Sequence, residues 1–146
     1  MDVRHVLSIE IEEFKREFIK RAHTIPGEEH SFCLFDDVAV MDQKDAWCYT
    51  CNKKHSTVVT CDVFFSGPSC KGISYENSNM PKWASCYSDH QGCSGHTYRY
   101  GFKQAVQVTC PAIAFFENTK GVADSVKDEN GEPQRPRVED LVFENS

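Results

Sequence analysis

Short apolar blocks alternate with polar stretches along the chain, and the spacing inside each block predicts its secondary structure. Four compact apolar runs predict strands: residues 4–9, 32–35, 58–65 and 112–116. Between the first two runs, Ile11, Phe14, Phe18 and Ile19 recur at helical spacing, which predicts an amphipathic helix ending before Pro26. Further helices are predicted over 98–108 and from 138 to 143.

Strands that alternate with helical stretches indicate an α/β fold with a mainly parallel sheet. The polar segments 42–57, 71–96 and 123–137 are expected to be mostly loop. In such a sheet, functional side chains gather at the carboxyl ends of the strands. The side chains that follow the four predicted strands are Glu10, Asp37, Cys70 and Glu117. We therefore expect these four side chains to lie along one edge of the sheet.

The composition is that of an ordinary globular protein, and its 146 residues correspond to one domain. The longest apolar run, residues 112–116, is too short to span a membrane, and the first residues do not resemble a signal peptide. We therefore expect an intracellular protein. The net charge of −6 disfavours a nucleic-acid binder. Residues 71–116, however, carry four basic and two acidic side chains, so any phosphate-facing surface would have to lie there.

Eight cysteines without an export signal predict thiols in a reducing compartment. Cys48, Cys51 and His55 have spacing suitable for three zinc ligands. The candidates for a fourth ligand are Cys86, His90, Cys93 and His96. We rank unligated thiols first, a zinc site second and a redox pair third.

Two residues have the surroundings that covalent catalysis requires. Cys70 follows a buried strand on a tight loop held by Gly67 and Pro68, and Lys71 beside it favours a thiolate. Glu117 follows the last apolar strand, where a carboxyl group can act as a general acid. The alternatives are a small buried cysteine and a glutamate that caps a helix or pairs with a cation.

Residues 66–74 (Ser-Gly-Pro-Ser-Cys-Lys-Gly-Ile-Ser) and 116–122 (Phe-Glu-Asn-Thr-Lys-Gly-Val) resemble two signature blocks of the cytosine-5 DNA methyltransferases. These blocks are the nucleophile loop and the Glu-Asn-Val block. Weaker blocks of the family are similar to residues 6–10, 34–38 and 94–101, in the family's order. The resemblance covers residues 4 to about 142. Three residues depart from the family pattern: Ser69 stands in place of proline, Lys71 in place of glutamine and Thr119 in place of valine.

The resemblance implies a Rossmann-like S-adenosylmethionine methyltransferase fold, of which the chain supplies strands two to five. It implies that Cys70 attacks carbon 6 of a cytosine, that Glu117 binds ring nitrogen 3, and that Asn118 supports the loop. The cytosine leaves the DNA stack to reach such a site, and RNA is the less favoured substrate. The residues implied to hold the cofactor are Glu10, Asp37, Val38 and Pro68. In a eukaryote the family implies a nuclear location.

The family's glycine-rich cofactor loop has no counterpart in the chain and is expected to precede Met1. Residues 1–146 are therefore interpreted as a partial catalytic domain, with 42–57 as a Cys/His-containing loop insertion. We expect weak cofactor binding and slow or no turnover of this chain alone. The alternative is a non-catalytic module, stabilised by zinc or thiols, that descends from a methyltransferase.

Overall fold

A computed structural model of the chain describes residues 3–27, 31–71, 74, 93–127 and 130–136. These residues form a mixed α/β structure built from short strands and helices. The chain divides into two compact units, and each is described by itself. Unit 1 comprises Met1–Val63 and Gln104–Ile113, and unit 2 comprises Phe64–Lys103 and Ala114–Ser146.

Unit 1 begins with a β–α–β arrangement, in agreement with the apolar pattern. Strand β1 (Leu7–Ile9) is followed by helix α1 (Glu13–His23) and strand β2 (Cys33–Phe35). β1 and β2 pair in parallel, with Ser8 opposite Leu34. Leu34 and Phe35 are fully buried because β2 lies inside this unit.

Strands β3 (Ala46–Cys48) and β4 (Lys53–His55) form an antiparallel hairpin in the segment 42–57, so the prediction of a loop there was wrong. The hairpin lies beside β2, where the backbone N–H of Tyr49 donates to the carbonyl of Leu34 at 2.7 Å. Three-residue strands are too short to show an alternating pattern, which is why the sequence did not reveal them.

Helix α1 has the predicted apolar residues at helical spacing, but Phe14 and Phe18 are 69% and 70% exposed. Among the described residues, α1 contributes no buried side chain. Periodicity therefore identified the helix correctly, whereas the burial that it implied is not observed in unit 1. Unit 1 also contains the short helix α3 (Ala105–Thr109), in which the Thr109 hydroxyl donates to the carbonyl of Ala105 at 2.7 Å.

Strands β5 (Val63–Ser66) and β6 (Ile113–Phe116) pair with each other. All their residues belong to unit 2 except the first of each strand, Val63 and Ile113, which belong to unit 1. Two backbone hydrogen bonds, from Ile113 to Asp62 and from Glu117 to Ser66, advance together along both strands. The strands are therefore parallel.

Helix α2 (Cys93–Tyr98) continues into a π-helical segment, Arg99–Gln104, that leads to α3. The predicted helix over 98–108 therefore exists but begins five residues earlier. Buried Tyr98 is the centre of the core of unit 2, and Phe102, Phe116 and Val122 pack against it.

The polar segment 123–137 contains two further strands, β7 (Ser125–Lys127) and β8 (Pro133–Pro136), which pair antiparallel. The prediction of a loop there was also wrong. The described strands form four two-stranded sheets, so a single parallel sheet remains a prediction. The helix predicted from 138 to 143 lies outside the described residues. No helix in the described part of the chain is long and apolar enough to cross a membrane.

Candidate functional site

The loop after β5 carries Cys70, and its backbone is held by hydrogen bonds within unit 2. The N–H of Ser69 donates to the hydroxyl oxygen of Thr97 at 2.8 Å, and Ser74 N–H donates to the carbonyl of Cys70 at 2.8 Å. A proline at position 69, as in the family pattern, has no N–H to donate. Ser69 therefore makes a backbone hydrogen bond to Thr97 that a proline at this position could not make. Cys70 is half-buried and packs against Tyr98.

The segment after β6 is joined directly to this loop. Asn118 Nδ2 donates to the carbonyl of Pro68 at 2.9 Å, and Asn118 Oδ1 accepts from the N–H of Thr119 at 2.8 Å. The Glu117 carboxylate lies so close to Gly67 that a Cβ placed there would be 3.3 Å from Glu117 Oε2. Pro68, implied by the resemblance as a cofactor residue, is buried at this junction.

The two candidate catalytic residues are therefore carried by neighbouring parallel strands in one unit, although 47 residues separate them in sequence. Glu117 is exposed and Cys70 is partly accessible, so both side chains are open to solvent. Such an arrangement can present a nucleophile and a hydrogen-bonding carboxyl group to the same planar substrate.

The acidic residues implied to hold S-adenosylmethionine lie at the carboxyl ends of β1 and β2 in unit 1. Glu10 N–H donates to the carbonyl of Phe35 at 3.0 Å, which extends the parallel pairing to Glu10 itself. One oxygen of its carboxylate, Oε1, accepts from the N–H of Glu12 at 2.9 Å. Asp37 accepts from the N–H of Ala39 at 2.8 Å, and half-buried Val38 begins the same 3-10 turn.

Carboxylates at neighbouring strand ends fit the polar groups of an adenosine, whose ribose hydroxyls and amino group are hydrogen-bond donors. The N–H of Glu12 bonds to Oε1 of Glu10, which leaves Oε2 to accept from such a donor. The carboxylates of unit 1 can therefore accept hydrogen bonds from hydroxyl and amino groups.

Tyr49 connects this acidic end of the sheet to the β3–β4 hairpin. Its hydroxyl donates to Asp36 Oδ2 at 2.9 Å, and its ring lies 4.6 Å from the guanidinium of Arg16. Arg16 in turn donates to the carbonyl of Glu10 at 2.9 Å. The hydrogen bond to Asp36 raises the pKa of Tyr49, since it stabilises the protonated phenol. The amino-acid sequence gave no signal for the hydrogen bond between Tyr49 and Asp36.

A second cluster in unit 1 consists of Cys33, Cys48, Cys51 and His55, which could hold a metal ion. Their ligand atoms all lie within 4.8 Å of one another, and Cys33 Sγ is 3.6 Å from His55 Nε2. Cys33 comes from the start of β2, Cys48 from the end of β3, Cys51 from the turn and His55 from the end of β4.

The turn between β3 and β4 adopts the conformation that brings its two cysteines together. Asn52 has φ of 52°, in the left-handed region that asparagine tolerates better than most residues. The Thr50 hydroxyl lies 2.7 Å from the carbonyl of Phe32 and 3.2 Å from Cys48 Sγ, so the turn is attached to the residues just before β2.

The thiols of the cluster differ in acidity. Burial opposes ionisation of Cys48, but hydrogen bonds from Thr50 and from the backbone of Cys51 and Leu34 outweigh it and lower the pKa of Cys48 to about 6. Burial and the neighbouring thiols of Cys48 and Cys51 raise the pKa of Cys33 to about 12. Burial also raises the pKa of Cys51. Cys48 is therefore the most acidic of the three thiols in the cluster.

The spacing of Cys48, Cys51 and His55 predicted three members of this cluster, but the fourth member, Cys33, was not predicted. Cys93 and His96 are not members of it, and Cys86 and His90 lie outside the described residues. Cys33 is fifteen residues before Cys48 and belongs to no recognisable spacing. Its position follows from the packing of the hairpin against β2, for which the sequence carries no local signal.

No protein-family model matches the chain, and neither a curated protein nor a solved structure shows significant similarity to it.

Proposed function

We propose that the chain is part of the catalytic domain of a cytosine-5 methyltransferase acting on DNA, with Cys70 as nucleophile and Glu117 as the group that binds the base. The observation that carries this proposal is the hydrogen bond from Asn118 to the carbonyl of Pro68. It joins the segment of Glu117 to the loop of Cys70, and it gives Asn118 the supporting role that the resemblance implies.

The pairing of the strands supports the same proposal. In the Rossmann strand order 3-2-1-4-5-6, strand two neighbours strand three and strand four neighbours strand five. The parallel pairs β1–β2 and β5–β6 are these two neighbours if the four strands are strands two to five. Strand one lies between strands two and four in this order. Strands two to five without strand one therefore form two separate parallel pairs.

The chemistry assigned to each residue follows from its type and position. The Cys70 thiolate forms a bond to carbon 6 of the flipped-out cytosine, and the ring electrons move to carbon 5. Glu117 shares a proton with ring nitrogen 3 through a hydrogen bond, which stabilises the electron-rich ring. S-adenosylmethionine, when bound, supplies the methyl group that carbon 5 takes. Loss of the carbon 5 proton to a base then expels Cys70 as thiolate and restores the aromatic ring.

Glu10 and Asp37 have the second role, which is to bind the cofactor. Glu10 would accept hydrogen bonds from the ribose hydroxyls through its carboxylate, and the turn that begins at Asp37 would hold the adenine. Because β1 and β2 are adjacent and parallel, one nucleoside reaches both residues.

The test is covalent trapping on two modified DNA duplexes. A duplex containing 2-pyrimidinone reports attack by the thiolate alone, whereas one containing 5-fluorocytosine forms a stable adduct only after methyl transfer. With S-adenosylmethionine at high concentration and a long incubation, we expect both duplexes to give, at a slow rate, an adduct that survives denaturing electrophoresis. Cys70→Ser should abolish both adducts, and Glu117→Gln should slow both by about 10²-fold or more, since it removes the acid.

The matched control is Cys110→Ser, because Cys110 is exposed and takes no part in the proposed chemistry. It should trap at the wild-type rate. Absence of an adduct with the 2-pyrimidinone duplex would contradict the assignment of Cys70. An adduct with that duplex alone would retain the nucleophile but contradict methyl transfer by this chain.

A second function, a non-catalytic interaction module stabilised by zinc or thiols, is favoured by the cluster of Cys33, Cys48, Cys51 and His55. This cluster uses no residue of the Cys70 site, so the module does not require catalysis. The module predicts zinc in the protein and no adduct on either duplex, whereas the methyltransferase predicts adducts. The same experiment therefore separates the two functions.

A further inference from the structure

The Cys33, Cys48, Cys51 and His55 cluster has the dimensions of a tetrahedral metal site. In a tetrahedral site, sulfur lies about 2.3 Å and nitrogen about 2.0 Å from Zn²⁺, so a sulfur ligand and a nitrogen ligand are about 3.6 Å apart. The observed distance between Cys33 Sγ and His55 Nε2 is 3.6 Å. The remaining pairs, all within 4.8 Å, need small movements of side chains to meet the same geometry.

The histidine is already oriented for coordination. His55 Nδ1 lies 2.9 Å from the carbonyl of Ser56, which can only accept, so Nδ1 carries the proton. Nε2 then has its lone pair directed toward Cys33. A backbone carbonyl that holds the far nitrogen in this way is the usual outer partner of a metal-binding histidine.

The surroundings of the cluster indicate a structural role. The buried residues of its core are few, namely Phe35, Ala46 and Cys48, and the strands that carry it have three residues each. Compact units of about 70 residues often add a metal or disulfides, since their apolar core alone provides little stability. Four protein ligands also leave no open position for a substrate.

From these observations we propose that Cys33, Cys48, Cys51 and His55 form a structural Zn²⁺ site that fastens the β3–β4 hairpin to strand β2. Three thiolates and one imidazole are a donor set that suits zinc and that hard cations such as Mg²⁺ avoid. The site is independent of the Cys70 chemistry and remains whether or not the chain transfers methyl groups.

The first experiment uses the whole chain, purified with zinc chloride and a reductant. Elemental analysis should find about one zinc per chain, as one four-ligand site requires. After removal of zinc, titration with Co²⁺ should give the intense visible bands of a tetrahedral ion and a near-ultraviolet band from thiolate ligands. Absence of both zinc and these cobalt bands in reduced protein would overturn the proposal.

The variant that isolates the structural contribution is Cys33→Ser, with Cys93→Ser as its control. Cys93 is exposed and was one of the candidates for the fourth ligand. We expect Cys33→Ser to weaken zinc binding at least about 100-fold in competition with a chromophoric chelator, and Cys93→Ser to leave it unchanged. Normal zinc affinity in Cys33→Ser would overturn the proposed ligand set.

A third measurement needs no variant and thus remains decisive if Cys33→Ser fails to fold. Brief alkylation of the native protein, read by mass spectrometry, should label exposed Cys93 and Cys110 while zinc protects Cys33, Cys48 and Cys51. A chelator should make these three react together. The proposed site would be refuted if the three cysteines were labelled equally with and without chelator. A Cys48–Cys51 disulfide that persists in the presence of reductant would also refute it.

Discussion

Asn118 holds the Glu117 segment against the Cys70 loop, so its replacement should affect both stability and trapping. Asn118→Ala removes the bond to the Pro68 carbonyl at 2.9 Å and the bond from the Thr119 N–H at 2.8 Å. A hydrogen bond of this kind contributes about 0.5–1.5 kcal/mol net, so the two together contribute about 1–3 kcal/mol. Pro68 is buried, which leaves its carbonyl without an easy replacement from water.

Urea unfolding followed by circular dichroism measures this loss. With a slope of about 2 kcal/mol per molar urea, a loss of about 2 kcal/mol lowers the midpoint by about 1 M. The matched control is Gln107→Ala, which truncates an exposed amide side chain on α3 and should change stability by less than about 0.5 kcal/mol.

Trapping on the 2-pyrimidinone duplex gives the second readout for Asn118→Ala. We expect a decrease of about tenfold or more under conditions where the variant is fully folded, because Glu117 loses its fixed position relative to the loop. An unchanged urea midpoint would refute the structural role of Asn118. A lowered midpoint with an unchanged trapping rate would refute its role in positioning Glu117.

Three further predictions concern other parts of the chain. Gly67→Ala should slow trapping about tenfold with little change in stability, since its Cβ would lie 3.3 Å from Glu117 Oε2 and displace that carboxylate. Thr57→Val should lower the free energy of unfolding by about 1–3 kcal/mol, because the buried hydroxyl donates to the Val40 carbonyl at 2.7 Å. Burial and nearby His23 lower the pKa of His5, so the unfolded chain binds a proton first, and stability should fall as the pH decreases through the usual histidine range near 6.5.

Each of these predictions has its own control. Thr60→Val replaces an exposed threonine and should leave stability unchanged, and an equal effect of both threonine variants would contradict the assignment to Thr57. His5→Phe retains the stacking on Phe32, whose ring centroid is 4.5 Å away, and should weaken the pH dependence. If the stability of His5→Phe depends on pH as that of the wild type does, a group other than His5 causes this dependence. For Gly67→Ala, wild-type trapping would contradict the close approach of Glu117.

The apolar pattern was sufficient for the elements that have one face or one run of apolar residues. β1, β2, β6 and the helix α1 lie within the segments predicted for them, whereas β5 begins inside the predicted segment 58–65 and ends one residue beyond it. Runs rich in apolar residues favour a strand, and apolar residues at helical spacing favour a helix. The hairpin β3–β4 was missed because its strands have three residues and include Lys53 and Lys54. The start of α2 was missed because Gly95 disfavours a helix in isolation.

The sequence by itself determined which residues carry reactive groups and where four of the described strands, β1, β2, β5 and β6, lie. Cys70 and Glu117 follow strands whose apolar runs are visible in one dimension, and the spacing of Cys48, Cys51 and His55 is local to one hairpin. Only the tertiary structure decided which distant residues meet. The contact between Asn118 and Pro68 depends on the pairing of β5 with β6, and the place of Cys33 depends on the hairpin packing against β2. Local spacing carries no information on such contacts, because they form between segments whose separation in sequence is set by the fold and not by the period of a helix or strand.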